Sequence, residues 1–311
     1  MTNPSVNKNK NLNFRRWLTG FAVAVIFVRQ DATAAQSPIA LSSAANFAVL
    51  AATTVTSDGV TTIYGNVGVS PGTTLTGPAT VIGSIDLGDP TAGHAQSDLT
   101  TAYNNAAGRT DGTVAVAGNI GGQTLAPGLY TSTSSLQITA GILTLDAAND
   151  TNAVWIFQMA STLTTGPGSQ VSLIRGAQAA NVYWQVGSSA TLGTASIFKG
   201  NILAYTSIAL DNGAVLEGRA LAANGAVTLA GNSLTNDMPV PPIFGPTSRA
   251  ANGAVTLTIT NTPGTPLTLQ ISADLMNWST LTNFTPGVTP YLYLDNTASG
   301  QTNRFYRAVH H

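Results

Sequence analysis

The sequence predicts a mainly β chain, built as a solenoid with one long helix beside it and a small β-sandwich-like module at the carboxy end. Three observations carry that expectation. First, one short strand pattern recurs: Ser188–Leu192 (SSATL), Thr206–Leu210 (TSIAL) and Gly225–Leu229 (GAVTL). Leu192, Leu210 and Leu229 follow one another at a nearly constant interval. Repeats of roughly 20 residues belong to solenoids whose coils bury their apolar side against their neighbours. Second, Gly, Ala, Ser, Thr and Asn replace Lys and Glu, a composition that favours strands and tight turns over helix. Third, a single segment breaks the strand pattern with helical spacing.

The elements follow in order. Lys8, Lys10, Arg15 and Arg16 form a basic stretch, Trp17 to Val28 is apolar, and Ala32-Thr33-Ala34 is a small-x-small cleavage pattern. Residues 1–35 therefore have the form of a secretory signal segment, and the apolar stretch is too short to span a bilayer. The Arg15-Arg16 pair leaves ordinary and twin-arginine export both open. No later segment is apolar enough to cross a membrane. Residues 36–237 form the solenoid domain. Phe47–Ala51, Ala153–Phe157 and Val182–Val186 are apolar and aromatic, as buried strands are. Turns fall at Gly65-Asn66, Gly118-Asn119, Gly200-Asn201 and Gly218-Arg219. Between Asp89-Pro90 and Gly108, the residues Ala95, Leu99, Ala102, Tyr103 and Ala106 make one apolar stripe at helical spacing. Pro at the start and Gly past the end bound that helix. Met238–Pro246 holds four of the chain's 15 prolines, so residues 238–247 read as a stiff linker. Short alternating strands in residues 248–311 make the small β module.

Composition excludes several functions. Of 311 residues only 8% are charged, and the net charge is −1. That is about a third of the usual charged share and gives no electrostatic footprint for nucleic acid. Cysteine is absent, which removes disulfides, thiolate metal sites and cysteine nucleophiles. The three histidines, His94, His310 and His311, have no metal-binding spacing within the solenoid. Asp86 with Asp89, and Asp146 with Asp150, sit in turn-forming surroundings that suit turn duty better than acid–base work. No nucleophile elbow or phosphate loop occurs. Trp155 and Trp184 belong to apolar strands and are expected in the core, while Trp278 is the better candidate for exposure. No cofactor is implied.

Several longer motifs carry a resemblance. Gly118–Tyr130 (GNIGGQTLAPGLY), Asn152–Gln158 (NAVWIFQ), Asn181–Val186 (NVYWQV) and Phe198–Ala204 (FKGNILA) resemble signatures of the secreted microbial ice-binding protein family. Ala44–Leu50 (AANFAVL), Gly65–Ser70 (GNVGVS) and Gly218–Ala222 (GRALA) are also similar to it. The resemblance runs in order through residues 38 to 236. It implies an irregular three-faced β-solenoid with a long helix alongside, in which the first strand segment inserts between later coils. It implies an ice crystal surface as partner, a secreted monomer and no enzyme activity. The carboxy-terminal module lies outside that family's core. Its Asp274–Trp278 (DLMNW) and Arg304–Arg307 (RFYR) look like a small β-domain appended to exported bacterial proteins, suited to cell-surface or matrix contact.

Ice offers no charge and no pocket, only a lattice of water oxygens. A binder needs a rigid flat grid, and a solenoid supplies one. Neighbouring strands lie about 4.8 Å apart and alternate residues along a strand about 6.7 Å apart, both close to repeats found in ice. Thr anchors water through its hydroxyl, orders the shell through its methyl, and has a stiff χ1. The family's face carries a loose Thr-Ala/Gly-x-Thr/Asn pattern, which Thr53–Thr56 fits partly and the coil texts fit loosely. The expected outward residues are Thr54, Thr56, Ala160, Thr162, Ser189, Thr191, Ser207, Ala209, Ala226 and Thr228. The expected inward ones are Val55, Ser161, Ala190, Ile208 and Val227. Ala209 lacks a hydroxyl and Ser161 is polar for a core position. A second face, Thr194, Ser196, Asn212, Ala214 and Asn232, fits less well because Lys199 and Glu217 accompany it. The competing functions are a polysaccharide-active solenoid enzyme, which would need clustered carboxylates in a groove, and an extracellular adhesion or structural solenoid without ice affinity.

Overall fold

The computed structural model describes residues 35–236, 242–261, 266–288, 290–301 and 303–310. The expected signal segment up to residue 34, and residues 238–241 of the expected linker, lie outside the described residues. From Phe47 to Thr235 the chain winds as parallel coils with three faces.

One face is covered by the helix. It stacks Thr113–Ala115, Gly128–Ser132, Trp155–Met159, Val182–Val186, the carboxy-terminal halves of Ile197–Ala204 and Val215–Ala222, then Phe47–Ala51, Asn66–Val69 and Ile85–Leu87. Its central strands are apolar on the core side and mostly so on the helix side, where Gln158 and Gln185 are buried polar exceptions. Phe47–Ala51, Trp155–Met159 and Val182–Val186 are buried at every position, and in Gly128–Ser132 only Thr131 is half-buried. Towards the interior, Tyr130, Phe157, Trp184 and Phe198 form a ladder of rings with centroids 5.2, 4.0 and 5.0 Å apart. Trp155 and Trp184 are fully buried core residues, as their strands suggested.

The helix spans Pro90–Ala107. Asp89 caps it by accepting a hydrogen bond from the Ala92 N–H at 2.9 Å. Its buried stripe is Ala92, Ala95, Leu99, Ala102 and Ala106. Small residues let the helix axis approach the sheet, and they pack against Phe47, Leu50, Leu129, Ile156, Tyr183, Leu203 and Leu221.

The first coil, Phe47 to Tyr64, lies between the last coil and the second one. Val49 pairs with Ala220 on one side and Val67 on the other, so the inserted first strand segment is an observed feature of the fold.

The carboxy-terminal module has two antiparallel sheets. One contains Ile243–Phe244, Ser248–Arg249, Val255–Thr260 and Tyr291–Asp295; the other contains Leu267–Ser272, Ser279–Phe284 and Phe305–His310. Leu257, Ile259, Leu267 and Leu269 from the two sheets form one core, as a sandwich requires. Asp295, 1% exposed, is held by Arg304 at 2.7 Å and by the Tyr306 hydroxyl at 2.9 Å. Trp278 is half-buried, with the Arg307 guanidinium 4.4 Å above its ring.

Candidate ice-binding face

The second face is an eight-stranded parallel sheet in the order Thr74–Thr76, Thr54–Asp58, Val227–Ala230, Ile208–Leu210, Ala190–Leu192, Leu163–Thr165, Leu136–Ile138, Gly118–Asn119. Leu75, Val55, Val227, Ile208, Ala190, Leu163 and Leu136 point inward in register and pack with the core. The residues between them point outward.

Two outward columns result. One runs Thr76, Thr56, Thr228, Ala209, Thr191, Thr164, Gln137, Asn119. The other, two positions earlier on each coil, runs Thr74, Thr54, Ala226, Ser207, Ser189, Thr162, Ser135. The columns differ in chemistry. In the second, hydroxyls stitch coil to coil. Thr54 donates to the Thr74 carbonyl at 3.2 Å, Ser135 and Thr162 share a bond of 2.8 Å, and Ser189 and Ser207 accept from the Ser207 and Ala226 N–H groups at 3.3 Å. In the first, no hydrogen bond within the protein ends on the hydroxyls of Thr76, Thr56, Thr228, Thr191 or Thr164 among the described residues. One column fixes the grid and the other offers it to water. Asn119 closes the far end, its Oδ1 turned back to accept from the Thr139 and Gly121 N–H groups. Asp58, at the rim, is the one charged residue in these strands among the described residues.

Nine expected outward residues, Thr54, Thr56, Thr162, Ser189, Thr191, Ser207, Ala209, Ala226 and Thr228, fall in these columns. Ala160 does not. The register pairs Leu163 with Ala190, so the coil presents Thr162 and Thr164, and Ala160 sits beyond the corner. The same shift by two positions removes Ser161 from the core, where Leu163 takes its place. The residues that sequence reasoning missed are Thr74, Thr76, Ser135, Gln137, Thr164 and Asn119. Thr74-Leu-Thr76 and Thr162-Leu-Thr164 carry the Thr-x-Thr alternation that would have found the three missed Thr positions, Thr74, Thr76 and Thr164.

The alternative set Thr194, Ser196, Asn212, Ala214 and Asn232 is not a face. Ser196, Ala214 and Asn232 are buried at a corner, and Asn232 donates there to the carbonyls of Asp211 and Ala214 at 2.8 and 3.0 Å. Lys199 and Glu217 pair with each other on the third face, which also exposes Ile142, Ile197 and Val215. The acidic residues considered for chemistry serve turns and caps. Asp86 takes the Ser84 hydroxyl, Asp150 takes the Asn152 N–H, and Asp146 pairs with Arg175.

Comparison with known proteins fits this geometry. A family model described as ice-binding-like matches residues 49–235. An ice-binding protein of Nostoc sp. (strain HG1) is 45% identical over 225 residues, covering 71% of this chain and 83% of that protein. One of Flavobacterium frigoris (strain PS1) is 40% identical over 214 residues, 63% of this chain and 75% of its own length. The crystal structure of an ice binding protein from an Antarctic biological consortium superposes with a TM-score of 0.65 at 52% identity, covering 66% of this chain and 93% of that one. Motifs, inserted first coil, covering helix and these matches agree: the chain belongs to the ice-binding-like family.

Proposed function

We propose that this protein is a secreted, non-catalytic ice-binding protein, which adsorbs to ice through the open solenoid face and so slows ice growth and recrystallisation. The observation that carries the proposal is the uncharged outward column whose Thr hydroxyls make no internal hydrogen bond among the described residues, beside a column whose hydroxyls lock the coils together. Ordered water on such a grid matches the lattice without any pocket. The relatives' name supplies the ligand, and the expected signal segment supplies the route out of the cell, where a monomer meets ice directly.

The test is ice-recrystallisation inhibition, crystal shape and thermal hysteresis on the purified chain. Shaped crystals and arrested grain growth are expected. Thr228→Tyr places a bulky ring in the centre of the face, at an exposed position where surface substitutions cost about 0.5 kcal/mol or less, and it should abolish activity while the fold survives. Ala160→Tyr, off the face, should leave ice activity unchanged. Freely growing round crystals from folded wild-type protein would sink the proposal and favour the adhesion function. Full activity in Thr228→Tyr would sink the face assignment.

A further inference from the structure

The corner between the helix-covered face and the open face carries a cleft of about 600 Å³ beside the last turn of the helix. It is broad and open to solvent rather than enclosed. Tyr103 from the helix and Tyr205 from the coil corner stand at one side, ring centroids 5.9 Å apart at 48°, and Tyr205 is 52% exposed. Gln158 and Gln185 also line it, both more than nine-tenths buried. Gln158 is fully tied: its Nε2 donates to the carbonyls of Ala106 and Arg109 at 2.7 and 2.8 Å, and its Oε1 accepts from Thr131 at 2.8 Å. Gln185 is not. Its Nε2 donates to the Tyr103 hydroxyl at 2.8 Å, and among the described residues no hydrogen bond within the protein ends on its Oε1. The exposed Thr133 hydroxyl also lacks an internal partner among the described residues. No charged residue lines the cleft, and burial pushes the Tyr103 phenol up, keeping it neutral.

We propose that this cleft binds a neutral oligosaccharide, one sugar stacked on Tyr205 and its hydroxyls bonded to Gln185 Oε1 and Thr133. Aromatic rings present an apolar face with a polar tip, which matches the alternating C–H and O–H surfaces of a pyranose. An uncharged lining gives a charged ligand nothing to pair with, and burying an unpaired charge is costly. A peptide strand has no edge to join, because Gly128–Ser132, Trp155–Met159 and Val182–Val186 are each paired on both sides. The cleft lies at the corner that borders the open face, so a glycan held there sits beside the ice contact, as in a molecule retained in an extracellular polysaccharide.

The test is isothermal titration of the intact chain with laminarihexaose, cellohexaose and maltohexaose at millimolar concentrations, with an alginate hexamer as the charged control. At least one neutral hexaose should bind and the alginate should not. Tyr205→Ala should weaken binding by about tenfold, the worth of one stacked ring, and Ala160→Tyr should block it by filling the cleft. Thr228→Tyr should bind sugar normally, and Tyr205→Ala should keep full ice activity. Absence of neutral-hexaose binding, binding of the alginate alone, or binding unchanged in both Tyr205→Ala and Ala160→Tyr would each overturn the proposal.

Discussion

Asp98 illustrates how single residues tie this scaffold. It lies on the half-buried side of the helix and accepts both the hydroxyl and the N–H of Ser43, from the short helical turn Ser42–Asn46 that leads into the first coil. The Ser43 hydroxyl, then the Ser43 N–H, hold its carboxyl below the ordinary carboxylate range, against a smaller opposing effect of burial. A group with a depressed folded value is less protonated in the native state than in the unfolded one. Its contribution is therefore fully present above the unfolded value of about 4 and is lost as pH falls through the folded value. The stability advantage of wild type over Asp98→Asn, read as urea midpoints, should be constant above about pH 5 and shrink below about pH 4. An advantage of equal size at pH 3 and pH 7 would refute the assignment. Asn201 makes a second tie. Fully buried, its Nδ2 donates to the carbonyls of Ala180 and Val182, both at 3.0 Å, and its Oδ1 accepts from Arg219 at 2.7 Å, while Arg219 Nε donates to the Ala45 carbonyl. The last coils are thereby pinned to the segment entering the first. The Gly-Asn and Gly-Arg pairs are visible in the sequence as turn punctuation, but the network is not, because its partners lie up to 174 residues apart.

At the scale of elements, the corners decide how coils stack. Ile197–Ala204 and Val215–Ala222 each turn from the third face to the helix-covered face at a glycine, Gly200 with φ +114° and Gly218 with φ +141°. A Cβ on Gly218 would meet the Gly200 carbonyl oxygen at 2.0 Å, and backbone cannot yield there without parting two coils. Gly218→Ala should cost about 3 kcal/mol, from strain and overpacking together. Gly213, also at positive φ (+71°), has open space around its missing Cβ, so Gly213→Ala should cost only the left-handed penalty of about 1 kcal/mol. Equal losses in thermal or urea unfolding would show that conformation, not contact, sets the requirement. Element type was legible wherever local chemistry decides it. The helix follows from Asp89-Pro90, Gly108 and its apolar stripe. The strands Ala190–Leu192, Ile208–Leu210 and Val227–Ala230 follow from alternation at a steady interval. Register was not legible where that steadiness ends. The strand Gln170–Ile174 and the loop after it lengthen one coil, so Thr164 lies further from its partner Thr191 in the chain than Thr191 does from Ala209. Matching Met159–Thr162 to the loose Thr-Ala/Gly-x-Thr/Asn pattern set that coil two residues out of register and chose Ala160 in place of Thr164.

The insertion of the first coil has its largest consequence at the scale of the whole molecule. It places Thr54 and Thr56 beside Ala226 and Thr228, with Thr74 and Thr76 on their other side. Residues from the two ends of the solenoid sequence thus become one block of three adjacent coils in which five of six outward positions are Thr. No sequence period announces that block, since it is assembled by topology alone. Away from it the face loses Thr methyls at Ser207, Ala209 and Ser189, and then ends in Gln137 and Asn119. A water layer that must match ice gains most where hydroxyls and methyls repeat without a gap, so adsorption should be concentrated in the block. Thr56→Tyr lifts an ice plane off its centre, whereas Gln137→Tyr changes a position that already carries a long polar side chain near the rim. Thr56→Tyr should therefore eliminate thermal hysteresis, and Gln137→Tyr should retain most of it, with both variants unfolding at the wild-type midpoint because neither side chain packs in the core. Equal loss in the two would mean that the full length of the face engages ice. Retained activity in Thr56→Tyr with loss in Gln137→Tyr would place the contact at the opposite end of the solenoid.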